Sequence, residues 1–112
     1  MLTIYHNPRC SKSRQTLKLI EDNNKDVTVV EYLKTPLNKD EIIALLRLLN
    51  MSPIEMMRTK ETEFKEQNLK GASGEVLINA MVKTPKLIER PIVSSETLAV
   101  IGRPPENVLT LF

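Results

Sequence analysis

The stretch "LTIYHNPRCSKSRQTLKLIEDNNKDVTVVEYL" (residues 2–33) decides the fold. "LTIYH" (2–6) alternates Leu2 and Ile4 with Thr3 and Tyr5, the period of a strand, and runs into the turn-forming "NPRC". "SKSRQTLKLIEDNN" (11–24) puts Leu17 and Ile20 on one helical face and frays into Asp-Asn-Asn, so a helix is predicted from near Ser11, with Ser11 or its neighbour as cap. "VTVVEYL" (27–33) is β-branched and reads as a second strand. Strand, helix, strand in about thirty residues is a βαβ unit, with parallel strands and a right-handed crossover.

Beyond this unit the pattern becomes helical. Asn38 stands three residues before Glu41 and opens the apolar run "IIALLRLLN"; "SPIE" (52–55) repeats the capping pattern with Pro53 at the first helical position and leads to "MMR". "TEFKEQNLKG" (62–71) reads as a short helix stopped by Gly71, and "SGEVLINAMVK" (73–83) as another closed by Thr84-Pro85. Then "RPIVSS" (90–95) and "TLAVIGR" (97–103) form a predicted hairpin, and "PPENVLTLF" carries prolines where a helix can begin. The order is βαβ, a helical insert, then ββα.

A length of 112 residues predicts one domain, 1–112, and no repeat or linker interrupts it. With 41% apolar and 27% charged residues the composition is that of a soluble globular protein. No apolar run is long enough for a membrane span, and the N-terminus lacks the layout of a signal peptide, so the expected location is the cytoplasm. A net charge of +2, scattered basic residues and four aromatics give no nucleic-acid surface. One cysteine, Cys10, forbids an internal disulfide, and with His6 as the only histidine a Cys/His metal site is not expected.

Cys10 is therefore the most reactive group. It lies where a strand hands over to a helix, and the unpaired N–H groups and positive dipole end of a first turn favour an anion there. An ordinary thiol is only about 3% thiolate at neutral pH. Arg9, Arg14 and an imidazolium at His6 would all favour the thiolate, which makes Cys10 a candidate nucleophile. His6 is open to two readings: it orients or deprotonates Cys10, or it is a strand-end histidine bonded to the backbone. Two loop chemistries are excluded by spacing. A tyrosine-phosphatase loop needs arginine where Thr16 stands, Arg14 coming too early. A dithiol motif needs cysteine where "CSKS" has Ser13, so any adduct on Cys10 must be resolved by an outside thiol.

Three distant arginines stand out from the lysine-rich background. Arg58 ends the predicted "SPIEMMR" helix, and Arg90 and Arg103 each precede a proline, which holds the preceding backbone extended. Guanidinium is the preferred fork for a tetrahedral oxyanion. Sequence spacing alone does not bring the three together.

The pieces "IYHNPRCSKSR", "MMR" (56–58), "ERPIV" (89–93) and "GRPPE" (102–106), in this order, give the chain a resemblance to the glutaredoxin-coupled arsenate reductase family over nearly its whole length, in particular to its short members. The resemblance implies a thioredoxin-like α/β fold with a helical insert and a cis peptide at Arg90-Pro91. It implies Cys10 as nucleophile, Arg58, Arg90 and Arg103 as oxyanion ligands, and His6 as the group that helps keep the cysteine ionised. Arg14, Ser13 and Pro91 are supporting residues in this reading. The implied reaction is reduction of arsenate to arsenite, with no bound cofactor or metal, glutathione as co-substrate and glutaredoxin as partner. The chain departs from the plasmid-borne type at Lys12, which stands in the loop in place of a small residue. Two other readings share the fold: a glutathione-dependent thiol reductase acting on another substrate, and an Spx-like transcriptional regulator that binds RNA polymerase.

Overall fold

The structure, a computed structural model, describes residues 1–112. The elements are β1 (Leu2–Tyr5), α1 (Ser11–Asp22), β2 (Val27–Val30), α2 (Lys39–Leu49), α3 (Thr62–Glu66), α4 (Gly74–Lys83), β3 (Ile92–Ser94) and β4 (Ala99–Ile101). Three 3-10 segments, Pro53–Met56, Pro85–Leu87 and Pro105–Leu111, complete the chain. It divides into two compact units, one of Met1–Thr35 with Arg90–Phe112 and one of Pro36–Glu89.

The first unit holds a four-stranded sheet of order β2-β1-β3-β4. β1 pairs parallel to β2, Ile4 opposite Val29, and antiparallel to β3, Ile4 opposite Val93; β3 and β4 form the predicted hairpin. This is the βαβ…ββα arrangement of a thioredoxin-like fold. Alternation in β1 sends Leu2 and Ile4 inward, where they meet Ile20 of α1, Val93 of β3 and Val108 of the C-terminal segment, with Leu17 and Leu19 half-buried alongside. β2 stops at Val30 rather than running to Leu33, because the Lys34 and Thr35 amides turn back to the Glu31 carbonyl. The C-terminal helix is 3-10 throughout.

The second unit is the helical insert. Asn38 and Glu41 make a reciprocal capping box at α2, with bonds of 2.8 and 3.0 Å, and Ser52 and Glu55 make another at Pro53–Met56. α2 buries Ile42, Leu45, Leu46 and Leu49, and packs on α4, which buries Leu77, Ala80 and Met81. Arg58 does not end a helix: the turn closes at Met56, Met57 bridges Ile88, and the Arg58 amide donates to the Leu87 carbonyl. α3 ends at Glu66, well before Gly71, because Asn68 takes the left-handed conformation (φ 54°) and lets Leu69 N–H reach back to the Phe64 carbonyl. Asn24 (φ 57°) after α1 and Asn50 (φ 55°) after α2 close their helices the same way, which replaces the predicted fraying of α1. Asparagine is among the few non-glycine residues that tolerate this region. No helix is long and apolar enough to cross a membrane.

Candidate active site

Cys10 is itself the N-cap of α1, with extended backbone (φ −96°, ψ 122°). Its amide donates to the Asn7 carbonyl and its carbonyl accepts the Arg14 amide, both at 3.0 Å. The sulfur makes no capping hydrogen bond to the first-turn amides. Sulfur is a weak acceptor beside the short polar oxygens that cap helices, and its partner here is a cation instead. Nη2 of Arg103 lies 3.5 Å from Cys10 Sγ across 93 positions of sequence, while Nε of the same guanidinium donates to the Arg90 carbonyl at 2.7 Å. Cys10 is 8% exposed and Arg103 is exposed, so the sulfur–guanidinium pair sits at the rim of the first unit.

The loop that delivers Cys10 is tied down from both ends. His6 Nδ1 and Ser13 Oγ are joined by a hydrogen bond of 2.6 Å, and Ser13 Oγ accepts the Asn7 amide at 3.0 Å. Arg14 folds back to donate to the Pro8 carbonyl at 2.9 Å, and the Arg9 amide donates to Asn7 Oδ1. Arg9 and Lys12 are exposed. Ser13 therefore fixes the loop to the first turn of the helix, and Arg14 grips the loop's own backbone.

His6 differs from the sequence expectation. Burial holds its pKa below the ordinary 6.5, with the Arg14 charge adding to that effect and Glu31 and Glu21 opposing it. The imidazole is neutral near pH 7, so it brings no positive charge to Cys10, and its hydrogen bond goes to Ser13. The side chain is tethered to Ser13, while at the strand end the His6 amide donates to the Val30 carbonyl at 2.8 Å.

Both Arg90–Pro91 and Arg103–Pro104 are cis peptides, and Pro91 is buried. Arg90 is half-buried, with its Nε buried and lacking a hydrogen-bond partner, a guanidinium donor left unused by the protein. Arg58 belongs to the second unit, where Nη1 lies 2.7 Å from Glu61 Oε1 and Nε 3.7 Å from Glu89 Oε1. Glu61 is shared with Lys86, which also pairs with Glu63. The structure thus joins Cys10, Arg103 and Arg90 in one chain of contacts and His6, Ser13 and the loop in another. It ties Arg58 to carboxylates of its own unit.

Three residues that sequence reading passed over hold this geometry. Gly102 has no room for a side chain: a Cβ there would lie 2.7 Å from Thr16 Oγ1 and 2.9 Å from Pro91 Cγ. Thr16, fully buried, donates to the Lys12 carbonyl at 2.8 Å. Asn107 Nδ2 donates to the Ile101 and Arg103 carbonyls, both at 3.1 Å. A glycine directly before arginine in "IGRPPEN" was the available signal for the first of these. Chemically, a sulfur beside a guanidinium at a helix start can hold a tetrahedral oxyanion and attack its central atom.

The chain matches the ArsC family over residues 5–111. It is 53% identical over 111 residues to YfgD of Escherichia coli K12, described as an uncharacterized protein, spanning 96% of this chain and 93% of that one. It is 39% identical over 110 residues to an arsenate reductase of Neisseria meningitidis serogroup A, spanning 96% of this chain and 94% of the relative. The solved structure of an arsenate reductase from Vibrio cholerae superposes with a TM-score of 0.95 at 45% identity, covering 99% of this chain and 97% of the other.

Proposed function

The chain belongs to the ArsC family, and from that premise we propose that it reduces arsenate to arsenite, with Cys10 as nucleophile and glutathione and glutaredoxin supplying the electrons in the cytoplasm. The observation that carries this reading is the Arg103 guanidinium held 3.5 Å from the only thiol of the chain. A cation in that place can hand one or more N–H donors to an incoming oxyanion.

The reaction balances with two thiols from outside. Cys10 thiolate adds to the arsenic of arsenate, a bond from arsenic to oxygen breaks, and that oxygen leaves as water after taking up protons. Glutathione then displaces a second oxygen, also as water. The two sulfurs pair into a Cys10–glutathione disulfide as both arsenic–sulfur bonds break, one electron pair staying on arsenic, and one water adds back to the reduced arsenic. Glutaredoxin and further glutathione return Cys10 to the thiol, and arsenite leaves. The net change is arsenate plus two thiols to arsenite, one disulfide and one water.

Arg103, Arg90 and Arg58 are the oxyanion ligands in this reading. The unpartnered Nε of Arg90 supports its part. Arg58 would have to share its guanidinium between the oxyanion and Glu61 and Glu89. His6 and Ser13 hold the loop in shape.

The test is NADPH oxidation in a mixture of glutathione, glutaredoxin and glutathione reductase. An arsenate-dependent rate that vanishes in Cys10→Ser is the expected result. A rate that ignores arsenate but needs a thiol substrate would assign a thiol reductase instead. Binding to RNA polymerase without turnover would assign a regulator.

A further inference from the structure

We propose that Gly102 and Asn107 are positioning residues that set the distance between the Arg103 guanidinium and the Cys10 sulfur. The inference deepens the proposed function, because it takes Cys10 and Arg103 as the working pair, but its test reads that pair without arsenate.

Arg103 is exposed and its contact with sulfur is long, so little of its placement comes from the side chain's own packing. Its backbone is placed from both sides instead. On the upstream side, Gly102 is seated where α1 and Pro91 meet. Its amide donates to the Pro91 carbonyl at 2.8 Å, and a Cβ would come within 2.7 to 3.1 Å of both branches of the Thr16 side chain. Thr16 is fully buried and hydrogen-bonded to its own helix, so it cannot move aside as a flexible tip could. Because Cys10 caps that same helix, the Gly102–Thr16 contact gauges the sulfur against the residue that follows Gly102.

On the downstream side, the Asn107 carboxamide spans the turn and donates to the carbonyls of Ile101 and Arg103. The guanidinium then has two fixed targets, the Arg90 carbonyl and Cys10 Sγ. A displacement of about 1 Å in this backbone would take a contact already at 3.5 Å beyond hydrogen-bond reach.

Alkylation of Cys10, the only cysteine, gives a direct reading. Iodoacetate and iodoacetamide both require the thiolate, so the ratio of their second-order rate constants cancels its population and reports the cation beside the sulfur. Arg103→Ala should lower the iodoacetate preference about fivefold, the effect of one charge at contact distance in a water-like medium. Asn107→Ala and Gly102→Ala should each move the ratio toward the Arg103→Ala value. The double variant Asn107→Ala/Arg103→Ala should fall no lower than Arg103→Ala alone. Asn107→Ser, which keeps one hydroxyl donor, should recover part of the loss. If Gly102→Ala does not fold, the Asn107 series carries the test.

A wild-type ratio in Asn107→Ala, where Arg103→Ala lowers it, overturns the proposal. So does an unchanged ratio in Arg103→Ala. The expected ratios in a protein with no arsenate turnover would keep this inference and remove the proposed substrate.

Discussion

Ser13, with no solvent exposure, lies 2.6 Å from the imidazole of His6 and also accepts the amide of Asn7. One hydroxyl thus closes the loop between β1 and α1, and it does so with a histidine that burial keeps uncharged.

This makes stability pH-dependent with a definite sign. The unfolded chain binds a proton on His6 near 6.5, whereas the folded chain binds it only at lower pH, so acid favours unfolding. The contribution is fully present above about 6.5 and is lost as pH falls through the lowered folded value. Urea midpoints at pH 7.5 and 5.5 should differ in the wild type and come closer together in His6→Gln. As the chain has one histidine, an unaltered difference in that variant would place the dependence on other groups.

Ser13→Ala removes both bonds and leaves the Asn7 amide and His6 Nδ1 without their partner. The expected loss is about 1–3 kcal/mol of stability, the range for an orphaned buried polar group. Denaturant unfolding measures it, with an unchanged m-value expected.

Cys10→Ser should abolish arsenate reduction and leave the fold intact, since the sulfur makes no hydrogen bond that caps α1. Circular dichroism and the coupled assay, run on the same preparation, test both halves. Wild-type turnover in this variant would remove Cys10 as the nucleophile.

Arg103→Ala and Arg90→Ala should each weaken reduction by the worth of a hydrogen bond to a charged group, about 1.5–3 kcal/mol, or roughly ten- to 150-fold in kcat/KM. Steady-state kinetics against arsenate give the number. Unchanged kinetics in both variants would return these arginines to the ordinary surface.

Asn50→Ala places a Cβ-branchless but still chiral residue at φ 55° without the local hydrogen bonding that lets asparagine occupy this region. A loss of about 1 kcal/mol is expected from the left-handed strain, and Asn50→Gly should be tolerated. Thermal melts of the pair make the comparison.

Much of the architecture was legible because its signals are local. The alternation in "LTIY", the periodic apolar residues of α2 and the paired cap positions Asn38/Glu41 and Ser52/Glu55 are each set within a few residues, and each appears in place. The chain order of strands and helices then leaves few topologies open. Element ends were harder: the left-handed asparagines at 24, 50 and 68 stop helices through bonds that composition does not display.

The site was legible only in its cast. Cys10, Arg90 and Arg103 were picked out, yet their meeting spans the whole chain, and no spacing rule gives a contact between residues 93 apart. The burial that lowers the His6 pKa is a property of the packed state, which residue spacing does not display. Ser13 and Thr16 are fully buried, each with its hydroxyl hydrogen-bonded to a neighbour, a burial that their residue types do not display.

The Nε bond from Arg103 to the Arg90 carbonyl has a consequence for any anion that arrives. An unrestrained arginine would surrender about 2 kcal/mol of rotamer freedom when it clasped a ligand. Here that ordering is charged to folding, so the encounter finds an arm whose aim has already been taken, and more of each new contact is left to show as affinity.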